Sequence, residues 1–155
     1  MLGERNLTRF WGTITVFAVV AAAMAAAAPS SEPTIDELKA RLASASIGDR
    51  PHLCVQIAQK ELSEADKLYA ANEVEKGQAA LADVVSFSEL ARDYSIQSRK
   101  YQKQTEIAAR TMTRKLTDLL HSLGHEDQAP VRDAINRLQR VRDDLLFAMF
   151  PKGAK

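Results

Sequence analysis

The sequence predicts an all-α fold, and three observations lead to that prediction. Glycine and proline number only 6 and 5 in 155 residues, and most stand at proposed helix ends, whereas a β-rich chain needs turn residues throughout. Apolar residues recur at intervals of three and four along residues 34–150, which is the helical period. The 46 residues from 78 to 123 contain neither glycine nor proline. We therefore expect one helical domain, residues 34–151.

Residues 1–28 have the pattern of a signal peptide. Arg5 and Arg9 precede an apolar run over residues 11–24, and the four alanines that follow have the small side chains that signal peptidase accepts. We expect cleavage and an exported protein, either periplasmic or secreted. The alternative is an uncleaved membrane anchor, because residues 11–28 reach the short edge of the length that spans a bilayer.

A polar spacer, residues 29–33, leads to the first predicted helix. Thr34 and Glu37 have the spacing of a capping box, in which each side chain bonds the backbone N–H of the other residue. Gly48 lies beyond the helix and can take the left-handed conformation that ends helices. We expect a short amphipathic helix over residues 34–46.

The second predicted helix covers about residues 50–71. Asp49 stands at its cap position, Pro51 in its first turn and Asn72 at its end. Cys54, the one cysteine of the chain, follows the apolar face of this helix. We expect it to be buried as a small apolar residue, with an intermolecular disulfide as the alternative in an oxidising compartment.

The third segment, about residues 74–123, has an unbroken heptad pattern that we call the seam. Two architectures fit it: one long central helix with a hairpin partner at each end, or a chain that bends near Ser95 to Ser98 and folds into a four-helix bundle. Without proline or glycine to cause a kink, the sequence favours the long helix. The seam positions are Leu81, Val84, Ser88, Ala91, Ser95, Ser98, Gln102, Thr105, Ala109, Met112, Leu116, Leu119 and Leu123.

The last predicted helix covers about residues 128–150. Asp127 stands at its cap position, Pro130 in its first turn, and Pro151 ends it, leaving a tail of residues 152–155. Short loops on both sides of the long segment predict two antiparallel hairpins, one with the second helix and one with the last.

Residues 65–91 contain a local likeness to a known repeat. Leu68 and Tyr69 fall in a first helix, Asn72 in a turn, and Ala79 and Leu81 in a second helix. This arrangement resembles a single helical hairpin of the tetratricopeptide-repeat type, except that Gly77 stands where that repeat prefers alanine. The resemblance implies hairpin packing and no particular binding function.

Charge is distributed unevenly along the chain. Residues 29–95 contain 12 acidic and 7 basic side chains, net −5, whereas residues 96–155 contain 7 acidic and 12 basic, net +5. The two halves can attract each other within a chain or between copies. Because the balance is near neutral, we do not expect nucleic acid as the partner.

Recognisable sites are missing from the sequence. It has no glycine-rich phosphate loop, no nucleophile elbow and no pair of cysteines. His121 and His125 are four residues apart, but Gly124 ends the helix between them, so we do not expect a metal site. We therefore expect no catalytic residues, no cofactor and no enzymatic activity.

The sequence indicates contact surfaces in place of a reaction site. Phe87, Tyr94 and Tyr101 recur every seven residues beside the small, polar middle of the seam. Basic residues follow them, and two phenylalanines mark the end of the last helix. The residues expected to form an interaction surface are Phe87, Tyr94, Tyr101, Arg99, Lys103, Phe147 and Phe150.

These features predict an exported, non-enzymatic helical protein, partly coiled-coil in character, that acts by binding another protein as a scaffold, adaptor or envelope-stress module. The expected partner is another envelope or secreted protein, or a second copy of the chain. Two alternatives remain: a bundle that binds a small molecule or metal ion near the three rings, and a peripheral membrane protein. An uncleaved N-terminal segment would add membrane contact of its own.

Overall fold

The computed structural model describes residues 31–152 and confirms the all-α prediction for them. Within these residues the chain forms five α-helices and no strand. The helices are α1 (Ile35–Ser44), α2 (Arg50–Ala70), α3 (Val74–Ser98), α4 (Gln102–Ser122) and α5 (Gln128–Met149), with a 3-10 turn at His125–Asp127. The signal peptide predicted for residues 1–28 lies outside the described residues.

The start of α1 is the predicted capping box. The Glu37 backbone N–H donates to Thr34 Oγ1 at 3.2 Å, and the Thr34 N–H donates to Glu37 Oε2 at 2.9 Å. The cap positions of α2 and α5 are also occupied by Asp49 and Asp127, but neither carboxylate bonds the helix backbone. Asp49 instead accepts a hydrogen bond from Ser46, so α2 depends on Pro51 in its first turn for a fixed start.

The predicted long helix is wrong, because the chain breaks between α3 and α4 at residues 99–101. Arg99 and Tyr101 have φ angles of 57° and 61°, in the left-handed region that non-glycine residues rarely adopt. Contacts from the α1–α2 loop and from the start of α2 stabilise this break. Lys100 packs over Gly48, where an added Cβ would lie 3.1 Å from the lysine side chain, and the Tyr101 ring stacks on His52.

The seam predicts the buried side of the chain correctly, although it runs along two helices and not along one. Ten of its positions are buried, five on α3 and five on α4, because each helix turns its own three-four pattern toward the core. Ser98 and Gln102, at the break, are partly buried. The buried seam positions are Leu81, Val84, Ser88, Ala91, Ser95, Thr105, Ala109, Met112, Leu116 and Leu119.

The helices pack as two hairpins around one core. α2 pairs with α3 and α4 pairs with α5, as predicted, while α3 packs along α5 and α2 along α4. Ion pairs join Glu89 to Arg137 and Arg92 to Asp144, so α3 and α5 run in the same direction. The core is therefore a four-helix bundle, and α1 is an additional helix that packs on α2.

Gly77 shows why the chain departs from the tetratricopeptide pattern at that position. Gly77 is buried in the first turn of α3, and a Cβ there would lie 3.0 Å from Cδ2 and Cε2 of Tyr69. The absence of a side chain lets α3 approach the ring on α2 closely. The hairpin itself turns at Asn72, whose φ of 60° ends α2 as predicted.

Candidate functional site

Each of the three aromatic rings predicted to form a surface is contacted on one face by a side chain from α1 or α2. Lys39 Nζ lies 5.4 Å from the centre of the Phe87 ring, and the Arg50 guanidinium lies 5.2 Å from that of Tyr94. His52 stacks on Tyr101 with ring centres 5.6 Å apart. Through these contacts the three rings help to hold α1 and the start of α2 against the rest of the bundle. We call this row the ring ladder.

One buried and one half-exposed carboxylate reinforce the ring ladder. Lys39 also contacts Glu61 Oε1 at 3.3 Å and Asp83 Oδ2 at 3.6 Å. Burial raises the pKa of Glu61, and its contact with Lys39 only partly offsets that effect. Burial tends to lower the pKa of Lys39, but the neighbouring carboxylates of Glu61 and Asp83 raise it on balance. The Lys39 ammonium is more exposed than the Glu61 carboxylate, so burial removes less of its hydration.

The remaining predicted surface residues lie toward one end of the bundle, where large apolar side chains are exposed. Phe147 and Phe150, at the end of α5, are 68% and 70% exposed, and Ile96 on α3 is 37% exposed. Ile47 and Tyr101 are exposed at the same end, in the α1–α2 loop and the α3–α4 break. Exposed apolar groups gathered in this way mark contact surfaces more often than scattered ones do.

A groove lies between the ends of α3 and α5 and the start of α4. It is shallow and open to solvent, with a volume of about 940 Å³. We call it the α3–α5 groove and define it by its main lining residues, which are Arg92, Asp93, Ile96, Arg99, Asp144, Phe147 and Met149.

The charged lining of the α3–α5 groove consists of two arginines and two aspartates, so its formal charges balance. Arg92 donates to Asp93 at 2.9 Å and to Asp144 at 3.0 Å, so one guanidinium bridges both carboxylates. Burial tends to lower the pKa of Arg92, but these carboxylates and Glu89 raise it on balance. Arg99 forms no ion pair with any residue from 31 to 152. The groove therefore combines apolar surface with two aspartates bridged by Arg92 and with the exposed Arg99.

Lys103 lies outside the groove, on the outward side of α4. Helical geometry places it in one row with Ile107, Arg110 and Arg114, opposite the buried residues of the helix, and all four are exposed. Arg110 has a distant ion pair, 3.9 Å to Glu106. The predicted surface is thus divided into the ring ladder, the α3–α5 groove and this α4 row.

The residues with metal-binding or nucleophilic chemistry are dispersed. Within the described part of the chain, no three His, Cys, Asp or Glu side chains form a group that could hold a metal ion. His121 lies in α4, whereas His125 lies in the 3-10 turn, so the two do not share a helix face. Cys54 is fully buried, as predicted, and burial raises the pKa of its thiol to about 12.

None of the helices in residues 31–152 combines the length and the apolar character needed to cross a bilayer.

Sequence reasoning missed the partners that define these surfaces. Lys39 and Arg50 carry no local signal of ring contact. They lie 48 and 44 positions before Phe87 and Tyr94, and only the folding of α1 and α2 brings each pair together. Ile96 did leave a signal, since it is a large apolar residue directly beside the seam position Ser95 and so faces away from the core. Combined with the exposed end of α5, it would have indicated the groove.

Comparison with family models, with curated proteins and with solved structures found no match to this chain.

Proposed function

We propose that the chain is an exported, non-enzymatic protein that acts by binding another protein of the envelope or of the secreted compartment at the α3–α5 groove. The observation that supports this most is Phe147, which is 68% exposed beside Ile96 and the Arg92–Asp144 ion pair. A scaffold, adaptor or envelope-stress protein needs such a contact surface and no reaction centre.

The energetic reason is the unburied apolar area. A phenylalanine side chain that becomes fully buried gains on the order of 1.5–3 kcal/mol, and Phe147 has most of that gain still available. Aromatic residues at the centre of a contact, surrounded by polar groups that exclude water, supply much of the binding energy in protein interfaces. Arg92 and Asp144 would contribute more to the orientation of the partner than to its affinity.

The export part of the proposal rests on the sequence of residues 1–28. Arg5, Arg9, the apolar run and the alanines that close it favour a cleaved signal. The partner is accordingly sought among envelope or secreted proteins, including a second copy of this chain.

A second candidate function is peripheral attachment to a membrane. The observation in its favour is the exposed Ile47, Tyr101 and Phe150 near the basic residues Lys100 and Lys152 at the same end of the bundle. Apolar tips with neighbouring lysines occur in proteins that rest on anionic lipid. The small-molecule alternative has less support, because Lys39 and Arg50 cover two of the rings that would have lined its pocket.

Photo-cross-linking tests the proposal directly. A photoreactive amino acid replaces Phe147 in cells that make the protein, and a second variant carries it at Gln139, an exposed position on the outer side of α5. We expect a discrete protein adduct from position 147 and none from position 139. Lipid adducts alone would support the membrane function in its place, and equal labelling from both positions would contradict a defined site.

A further inference from the structure

The two ends of the four-helix bundle carry opposite charge. Each end consists of its connecting segments and one helical turn, about four residues, on either side of them. α3 and α5 end, and α2 and α4 begin, at the end formed by residues 41–53, 95–105 and 146–152, which we call the basic end. Residues 67–77 and 119–131 form the acidic end. The basic end has six basic side chains and one acidic, net +5, whereas the acidic end has two basic and four acidic, net −2.

The positive charge of the basic end is not cancelled within the described residues. Its six cations are Arg41, Arg50, Arg99, Lys100, Lys103 and Lys152. None of them forms an ion pair with a residue from 31 to 152, although Arg50 contacts the Tyr94 ring. Asp49, the acidic residue of this end, accepts a hydrogen bond from Ser46. The end as a whole is therefore complementary to an anionic surface.

Exposed apolar side chains are concentrated at the same end. Seven large hydrophobic side chains are exposed among residues 31–152, and five of them belong to the basic end, whereas none belongs to the acidic end. The five are Ile47, Ile96, Tyr101, Phe147 and Phe150. Phe150 is the most exposed of them, at 70%. Apolar tips and positive charge thus coincide on one surface of the bundle.

This combination matches an anionic bilayer better than it matches another folded protein. The tips belong to three segments that are distant in sequence, so a folded partner would need a matching recess for each. The interface of a bilayer accepts apolar side chains at any lateral position, and its phosphates can pair with the cations between them. A second copy of the chain is a poorer match, because its acidic end has no exposed large apolar side chain to cover Phe150.

We infer that the basic end docks on a bilayer rich in anionic phospholipid, with the bundle standing on that end. Ile47, Tyr101 and Phe150 enter the headgroup region, while Lys100 and Lys152 pair with lipid phosphates. The opposite charges of the two ends fix the orientation, because an anionic surface attracts one end and repels the other. The inference rests on the second candidate function proposed above and specifies its lipid and its orientation. It does not require a protein at the α3–α5 groove.

Flotation with lipid vesicles tests the choice of lipid, with the protein purified from cells that make it. We expect binding to phosphatidylcholine vesicles that contain about 30% phosphatidylglycerol, and none to phosphatidylcholine alone. Lys103→Glu combined with Lys152→Glu should weaken this binding about tenfold or more. Arg114→Glu combined with Lys115→Glu makes the same change in charge outside the basic end and should change binding less than about twofold. All four residues are exposed, and circular dichroism verifies that both variants fold.

A tryptophan reporter tests the orientation. Trp11, the one tryptophan of the chain, is first replaced by phenylalanine. Phe150→Trp then places a single indole at the basic end, and His125→Trp, at an exposed position in the 3-10 turn, places one at the acidic end. Vesicles made with brominated phosphatidylglycerol should quench the fluorescence of Phe150→Trp and leave that of His125→Trp unchanged.

The outcomes separate the inference from the functions proposed above. Equal binding to the two kinds of vesicle, equal losses for the two double variants, or equal quenching at both ends would overturn the inference. A protein adduct from position 147 without vesicle binding would also overturn it, and would leave the protein-binding function standing. Lipid adducts from position 147 without a preference for phosphatidylglycerol would keep membrane attachment but overturn the anionic lipid.

Discussion

Replacing Arg99 by glycine should stabilise the protein, and the sign of the change tests the break between α3 and α4. Arg99 has a φ of 57°, where a side chain with a Cβ costs roughly 1–2 kcal/mol. Glycine removes that cost but loses more backbone entropy on folding, roughly 0.5–1 kcal/mol. The net expectation is an increase of about 0.5–1 kcal/mol in the free energy of unfolding.

A continuous helix would give the opposite result. Within a helix, glycine costs about 1 kcal/mol relative to good helix formers such as arginine, so the variant would be destabilised. Gln97→Gly supplies the matched control, because Gln97 is exposed and lies inside α3. It should lose about 1 kcal/mol, whichever way Arg99→Gly changes.

Urea unfolding followed by circular dichroism measures both variants. With an m-value of about 1.5 kcal/mol/M for a domain of this size, the Arg99→Gly midpoint should rise by about 0.3–0.7 M and the Gln97→Gly midpoint should fall by about 0.7 M. If both midpoints fall together, the left-handed turn at residue 99 is absent and the reasoning above is wrong.

Three further predictions concern the interior. Gly77→Ala should lower the free energy of unfolding by about 1–2 kcal/mol, because the new methyl meets the Tyr69 ring at 3.0 Å. Urea midpoints measure this loss, and it should be smaller when the substitution is made in a Tyr69→Ala background. The raised pKa of Glu61 means that the folded state holds the proton of this carboxyl more tightly than the unfolded chain does. Stability should therefore fall as pH rises from 4.5, the ordinary pKa of the group, toward its pKa in the folded state. Urea midpoints measured across this pH range should show the decline in the parent protein and not in Glu61→Gln. Cys54, with a pKa of about 12, should resist iodoacetamide until urea unfolds the chain, and mass spectra showing rapid labelling of the native protein would contradict its burial.

Much of the fold could be predicted because the relevant signals are local. The capping box of Thr34 and Glu37, the left-handed Asn72 and the seam all depend on residues within a few positions of one another. Local pattern decides which face of a helix is buried, so the seam stayed correct although its helix was divided.

The sequence offered a bend near Ser95 to Ser98 only as the alternative to a continuous helix, because the causes of the break at residues 99–101 are distant in sequence. Lys100 and Tyr101 pack on Gly48 and His52, and these contacts exist only once α1 and α2 are in place. They offset a backbone conformation that the local sequence, with no glycine or proline, does not favour. The partners of Phe87 and Tyr94 escaped prediction for the same reason.

The attachment of α1 has a consequence for how the native protein opens. This helix has ten residues and a single fully buried side chain, Leu38. Ile35 and Leu42 are partly buried, and Lys39 adds its contacts with Phe87 and Glu61. A segment with so little buried area opens at a fraction of the global unfolding free energy. Its amides should therefore exchange with deuterium ahead of those in α2 to α5, and the Phe87 ring would be uncovered while the four-helix core stays folded.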